Sequence, residues 1–308
     1  MHKYIFKRLL MLIPVILGVT FVIFSLSYIT PGDPADFILG DAAPHDAKEA
    51  LREELGLNDP FFLRYANFII AIAQGDLGQS YQTRRQVSAE IFSRFPTTMQ
   101  LSLMGLTLAV VLGVTLGVIS ATKQYSIFDN LATVFGLIFV SIPNFWLGMM
   151  FVILFAVNLG WLPPSGFNTP VHWVLPTFTL GLGQMAMVMR MSRSSMLEVV
   201  RQDYIRTARA KGQKESVVIW KHALRNALIP VTTYVGLTFG FLLAGAVLTE
   251  SIYSINGMGR FMVQSVRTRD LPIMLGGVTV LAIAFSLVNL LVDILYAYLD
   301  PRIKSQYK

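Results

Sequence analysis

Six stretches of the chain, residues 9–29, 98–120, 133–157, 173–191, 229–249 and 273–299, are apolar along nearly their whole length. None shows the strict alternation of a barrel strand. Each has about twenty residues or more, which at about 1.5 Å per residue crosses about 30 Å of hydrocarbon. Lipid offers an open backbone no hydrogen-bond partner, so such runs predict helices. The pattern predicts an all-α membrane protein with six transmembrane helices. The basic first eight residues and the run after them superficially match a secretory signal. That run is long enough to span, however, and no small-x-small cleavage site precedes Thr30, so the first helix is expected to stay.

Orientation follows from basic residues near the span ends. With the amino terminus in the cytoplasm, sixteen of the 25 Lys and Arg fall on that side, nine of them between Arg190 and Arg225. Both termini are then cytoplasmic. The chain divides on this reading into residues 1–97, a first span with an extracytoplasmic helical segment, and residues 98–308, a five-helix core with a cytoplasmic loop at 192–227. In the first part, Asp46 and Glu49 have capping-box spacing, Ala47, Ala50, Leu51 and Leu55 form an apolar stripe, and Gly56 closes the helix. A second helix is expected to start with Asp59 as cap and Pro60 in its first turn, placing Phe61, Phe62, Tyr65, Phe68, Ile69 and Ile72 on a broad apolar surface. The segment reads as a packing cap or as a docking site for a soluble partner. The loop 192–227 reads as helix, break at Lys211-Gly212, helix, and either docks a partner or anchors on anionic lipid.

Composition narrows the chemistry. Hydrophobic residues make up 54% of the chain and charged residues 14%, against about 25% charged in soluble domains. The net charge of +7 sits between apolar runs rather than on a folded basic face, which disfavours nucleic acid. Cysteine is absent, excluding disulfides and thiolate sites. No Gly-Lys pair occurs, so there is no Walker A loop. His2, His45, His172 and His222 are scattered singly, with no zinc spacing, and no Gly-x-Ser-x-Gly occurs. No catalytic residue, metal site or cofactor is expected in this chain.

Asp293 is the clear charge inside a predicted span, with Asn289 four residues earlier on the same face. The two form a possible intramembrane polar site, read as a structural pair or as part of a pathway. Gly113/Gly117 and Gly236/Gly240 have the spacing of close helix approach. Met185, Met187, Met189 and Met191, spaced by two, wind around a helix, which favours core packing over a ligand surface.

At the basic loop, SSMLEVVRQDYIRTARAKG followed by HALRNALIPVTT closely resembles the permease subunits of the dipeptide, oligopeptide, glutathione and nickel group of ATP-binding-cassette importers. PGDP at 31–34, GDLGQS at 75–80, ESIYSINGMGR at 250–260, RDLP at 269–272 and DPRI at 300–303 fall in the family's order, so the resemblance covers essentially the whole chain. It looks most like the B-type permease of dipeptide systems. Arg206 and Thr207 depart from the glutamate and first alanine of the importers' general EAA motif, while Ala208 and Gly212 match it. Arg225 replaces the first downstream proline and Pro230 fits the second. Asn256 stands where the group usually has proline.

The resemblance implies the type I importer permease fold and a coupling role for Glu198, Asp203, Arg206, Thr207, Ala208, Arg209, Ala210, Lys211 and Gly212. It implies a second homologous permease, two ATPase subunits that hold ATP and Mg, an extracytoplasmic binding protein, and residence in a prokaryotic cytoplasmic membrane. Peptides are the expected cargo, with glutathione and nickel or its chelates as alternatives. A stand-alone secondary carrier is the competing reading, but it needs ion-coupling groups or an inverted repeat, and neither is evident. A membrane-embedded enzyme would need a nucleophile with a base.

Overall fold

Hydrocarbon-compatible sequence and helix-breaking residues together set the element order. The computed structural model describes residues 2–29, 32–40 and 42–299, so Pro31 and the motif at 300–303 lie outside the described residues. Helices α1 (His2–Ile29), α2 (Pro34–Leu39), α3 (His45–Glu54), α4 (Phe61–Ala73) and α5 (Val87–Thr122) are followed by α6 (Ile127–Ser141) and α7 (Asn144–Phe151). The last continues as π-helical turns over Val152–Asn158. Then come α8 (Pro170–Val200), α9 (Asp203–Ala210), α10 (Glu215–Val217), a π-helical stretch (Val218–Ala223), α11 (Leu224–Ile252), α12 (Met258–Arg267) and α13 (Leu271–Leu299).

Among the described residues four helices, Leu10–Ile29, Val87–Thr122, Glu215–Ala244 and Leu271–Leu291, are long and apolar enough to cross a membrane. The predicted single span at 133–157 is instead two helices, α6 and α7, bent by 102°. Pro143 is the cause. It has no N–H to continue the ladder and forces the residue before it out of the helical region, and Ile142 is extended at ψ 125°. Counted as one broken span, the pair makes five. Helix α8 is longer than a bilayer requires, but Arg190, Arg193 and Glu198 dilute its last turns. It tolerates polarity because other helices cover it, and Thr177, Thr179, Ser192 and Ser195 are all buried along it.

The chain forms two compact units, Met1–Thr97 with Asn256–Leu287, and Thr98–Ile255 with Val288–Lys308. In the first, α4 packs on α1 through rings: Phe24 lies 5.1 Å from Phe61 and 5.5 Å from Tyr65, edge to face. The Tyr65 hydroxyl donates to the Leu17 carbonyl at 2.7 Å. The apolar surface expected on α4 is thus used by Phe61, Tyr65, Phe68, Ile69 and Ile72, whereas Phe62 is exposed. Neither expected cap forms. Pro44 and Pro60 occupy the two N-cap positions without side-chain bonds, and Asp46 lies within the first turn. Of the expected α3 stripe, Leu51 is buried and Leu55 half-buried, while Ala47 and Ala50 are exposed. Gly56 does close the helix, at φ 62°.

The same unit joins two motifs far apart in sequence. Buried Asp270 accepts from the Ser80 hydroxyl at 2.5 Å and from the backbone N–H groups of Tyr81 at 3.1 Å and Gln82 at 3.3 Å. Three donors satisfy a carboxylate that would otherwise be costly to bury. Beneath it Val87, Ile91, Met258 and Ile273 form an apolar core.

In the second unit α8 is central, packed by α6, α7 and α11. Helix α5 also approaches it closely: a Cβ built at Gly117 would lie 2.6 Å from the Met189 carbonyl and 2.6 Å from the Ser192 Cβ, and one at Gly113 would meet the Met185 carbonyl at 2.8 Å. The first small-residue pair is therefore an interface. Met185 and Met189 are buried one turn apart on α8, with the Met189 methyl beside Gly136 of α6, while Met187 is half-buried and Met191 exposed.

Replacing Gly117 with valine should push α5 off α8 and cost about 1–3 kcal/mol, seen as a lower unfolding temperature of the purified protein. Gly18→Ala, where nothing lies within 4 Å, should leave that temperature unchanged.

Candidate functional site

The basic loop is built on three helix ends. Helix α8 runs on to Val200, so residues 192–200 belong to it rather than to a loop, and the first predicted loop helix is broken at Arg201 and Gln202. Gln202 is extended at ψ 151° and opens the eight-residue α9. That helix is strongly two-faced. Ile205 is fully buried and Ala208 half-buried, both against Val118 and Ala121 of α5, Met196 of α8, and Val218, Ile219 and Ala223 of the π-helical stretch. Asp203, Arg206, Thr207, Arg209 and Ala210 are exposed.

The tip is held by local bonds. Gly212 has φ 74°, in the left-handed region, with its N–H on the Arg209 carbonyl at 2.9 Å. No atom lies within 4 Å of where its Cβ would be, so the requirement for glycine is conformational rather than one of space. Arg209 forks onto Glu215 with bonds of 2.7 and 3.1 Å across the turn. This bond holds the Arg209 guanidinium above its ordinary pKa. Asn226 donates to the Tyr204 hydroxyl at 2.7 Å, tying α9 to α11. In the π-helical stretch, Val218, Ile219 and Ala223 turn toward the seat of α9 while Trp220 and Lys221 stay exposed.

A second constellation lies in the same unit. Asp129, 2% exposed, receives Arg193 Nε at 2.7 Å and Nη2 at 2.8 Å, the Tyr125 N–H at 2.9 Å, and the Ser120 hydroxyl. Ser126 caps α6 by accepting the Asp129 N–H at 3.2 Å. One carboxylate therefore fastens the end of α5, the start of α6 and the last third of α8.

Residues 113–305 match the family described as binding-protein-dependent transport system inner membrane component, and residues 1–102 match the N-terminal region of such components. The chain belongs to this family. It is 44% identical, over 99% of its length and 100% of the relative's, to the dipeptide transport system permease protein DppB of Alkalihalophilus pseudofirmus. It is 42% identical, over 99% of each chain, to the glutathione transport system permease protein GsiC of Pectobacterium atrosepticum. Its fold resembles that of an inward-facing MetNI methionine ABC transporter, with a TM-score of 0.56 at 19% identity over 66% of this chain and 93% of that one. The protein is thus a multi-pass membrane permease subunit of an ABC importer, and its family is one of transport rather than of enzymes.

In the permease, Asp203, Arg206, Thr207, Ala208, Arg209, Ala210, Lys211 and Gly212 share α9 and its tip, whereas Glu198 stands exposed on α8 before the break. Asp203 pairs with Arg206 at 3.6 Å, and the Thr207 hydroxyl donates to the Asp203 carbonyl at 3.0 Å. Asn289 is half-buried on α13, and the side chain of Asp293 lies outside the described residues. Sequence reasoning missed Asp129. The Ser126-x-x-Asp129 spacing, a capping pattern at a helix start, was the signal that could have marked it. Buried Glu250, which accepts from the Thr98 hydroxyl at 2.5 Å, was missed as well.

Asp129→Asn should cost about 3 kcal/mol by leaving the Arg193 guanidinium without its counter-charge. Adding Arg193→Gln should recover part of that loss in a double-mutant cycle read by thermal unfolding.

Proposed function

We propose that this permease, paired with a second homologous permease, forms the pathway for dipeptides and short oligopeptides across a prokaryotic cytoplasmic membrane, and that α9 with its tip receives the movement of an ATPase subunit. The observation that carries the coupling role is the seat of Ile205. A helix that must transmit displacement needs one face fixed to the spans and the other free to dock, and α9 has both. The Arg209–Glu215 fork and the left-handed Gly212 keep the tip from absorbing the movement by unwinding.

The peptide assignment rests on the near-complete match to the relative named a dipeptide permease. The glutathione permease match, almost as strong, supports a second reading with a modified tripeptide as cargo. Six spans with both termini cytoplasmic are the arrangement that places α9 inside the cell, with α6 and α7 as one broken span and α8 as the sixth crossing. ATP and Mg then belong to the two ATPase partners, and an extracytoplasmic binding protein delivers the cargo.

A reporter inserted after Gly212 should be found in the cytoplasm, and one found outside overturns the topology. Gly212→Val should strain the tip by about 1–3 kcal/mol and lower dipeptide uptake by about tenfold while membrane insertion persists. Unchanged uptake removes the coupling role. With the four-subunit assembly and its binding protein in proteoliposomes, unlabelled dialanine should compete for labelled dipeptide uptake more strongly than glutathione does, and the reverse order selects the second reading.

A further inference from the structure

From Gly183 onward α8 is covered on only part of its circumference. At 3.6 residues per turn, Gly183, Met187, Arg190 and Ser194 recur on one face, with Gln184 and Met191 along its edge. These six are half-buried or exposed, whereas Met185, Ala186, Val188 and Met189 among them are buried. Toward the Pro170 end the same face is closed, since Pro176, Thr177 and Leu180 are buried. On one side of the opening stands α6, whose Gly136 meets Met189 and Ala186, and on the other α11, whose Tyr234 reaches Gln184. The second unit therefore carries a one-sided cleft that opens toward the basic loop.

Half of that face is polar, and an amide or a charge within a span ordinarily turns to other helices or to water rather than to acyl chains. The Tyr234 hydroxyl donates to Gln184 Oε1 at 3.1 Å, which fixes the amide and leaves its N–H groups without a partner among the described residues. Across the cleft lies the bend between α6 and α7. Asn144 begins α7, and its Oδ1 is 3.4 Å from where a Cβ on Gly183 would stand. Asn144 is half-buried, and its amide likewise makes no hydrogen bond among the described residues. The opened backbone beside it is only partly covered, with Ile142 half-buried and Pro143 exposed, and at membrane depth such backbone persists against protein or water. At the closed end the Thr177 hydroxyl is buried with no partner, whereas Thr179 bonds the Leu175 carbonyl at 2.8 Å.

Two neutral amides offer both donors and acceptors, the complement of a peptide group. They carry no charge that would hold a cargo fast. A helix of a second permease has already spent its backbone groups on its own ladder, whereas a short peptide brings its N–H and C=O groups free. Met187 and Met191, flexible and polarisable, can repack around differing side chains. Taking the peptide cargo above as given, we propose that this face of α8 lines the passage and that Gln184 and Asn144 form a subsite for the cargo's peptide groups. Tyr234 is the positioning residue for the Gln184 amide.

The chain has no cysteine, so single replacements report on chosen positions. In the permease assembled with its partner subunits in nanodiscs, Met187→Cys should react with a charged maleimide, read on the separated subunit. Val134→Cys, on the exposed apolar side of α6, should not. Dialanine should protect Met187→Cys, and alanine, which has the same termini and no peptide group, should protect it far less. Adding Gln184→Leu should raise the half-protecting dialanine concentration about fivefold, the worth of one hydrogen bond. Should that variant fail to assemble, Asn144→Ala is read by the same criterion. An unlabelled Met187→Cys means that a second permease or lipid covers the face, and overturns the proposal. So does labelling that dialanine leaves unchanged, equal protection by alanine, or protection indifferent to the amide substitutions. Dialanine uptake by the unsubstituted chain, assembled with its binding protein in proteoliposomes, separates this outcome from failure of the cargo reading. If uptake proceeds without protection, the subsite falls and the cargo stands. If uptake fails, the dipeptide reading falls, and protection by glutathione, which carries the same peptide groups, decides the subsite in the same way.

Discussion

A bilayer core contains nothing that can hydrogen-bond to a peptide group, and that constraint governs where this chain is regular and where it is not. Backbone that meets lipid must close its own bonds, so the long elements are helices. Departures from helix occur where another group takes over the freed donors and acceptors. At the bend before Pro143, the Ile142 N–H still reaches the Ile138 carbonyl at 3.1 Å, and the Leu147 N–H picks up the Pro143 carbonyl at 3.0 Å. At the start of α6 the work falls to Ser126 and Asp129 side chains, and at the end of α9 to a left-handed glycine.

Between helices the same solvent removes the hydrophobic drive that packs soluble proteins, so close fit and buried polar contacts must supply specificity. Helix α8 shows both devices. Its methionines and small residues meet the glycines of α5 at backbone distance, and Arg193, near its end, reaches a carboxylate on α6 that no lipid touches. The polarity that makes α8 a poor span by composition is what allows it to be the centre of its unit.

The loop at the end of α8 shares this rigidity. A short helix seated by one isoleucine between the ends of α5, α8 and α11 moves with those helices or not at all. Its remaining face carries the charges and is exposed. In the other unit, the Asp270 node does comparable work, since one carboxylate orders the turn at Ser80 against the start of α13.

The existence of the long helices and the glycine at the tip of the basic loop were legible in the sequence, because composition over twenty residues and turn chemistry over four are local properties. The 102° bend was not read from the apolar run, since hydropathy averages over Pro143 as if it were any other residue. The exposure of Phe62 beside half-buried Phe61 depended on where α1 lies, and the missing caps on α3 and α4 followed from prolines taking the cap positions. Contacts such as Ser80 with Asp270, 190 residues apart, and Asp129 with Arg193, 64 apart, leave no periodicity to read. Their energy comes from burying a charge beside its partners, and only the folded chain brings those partners within reach.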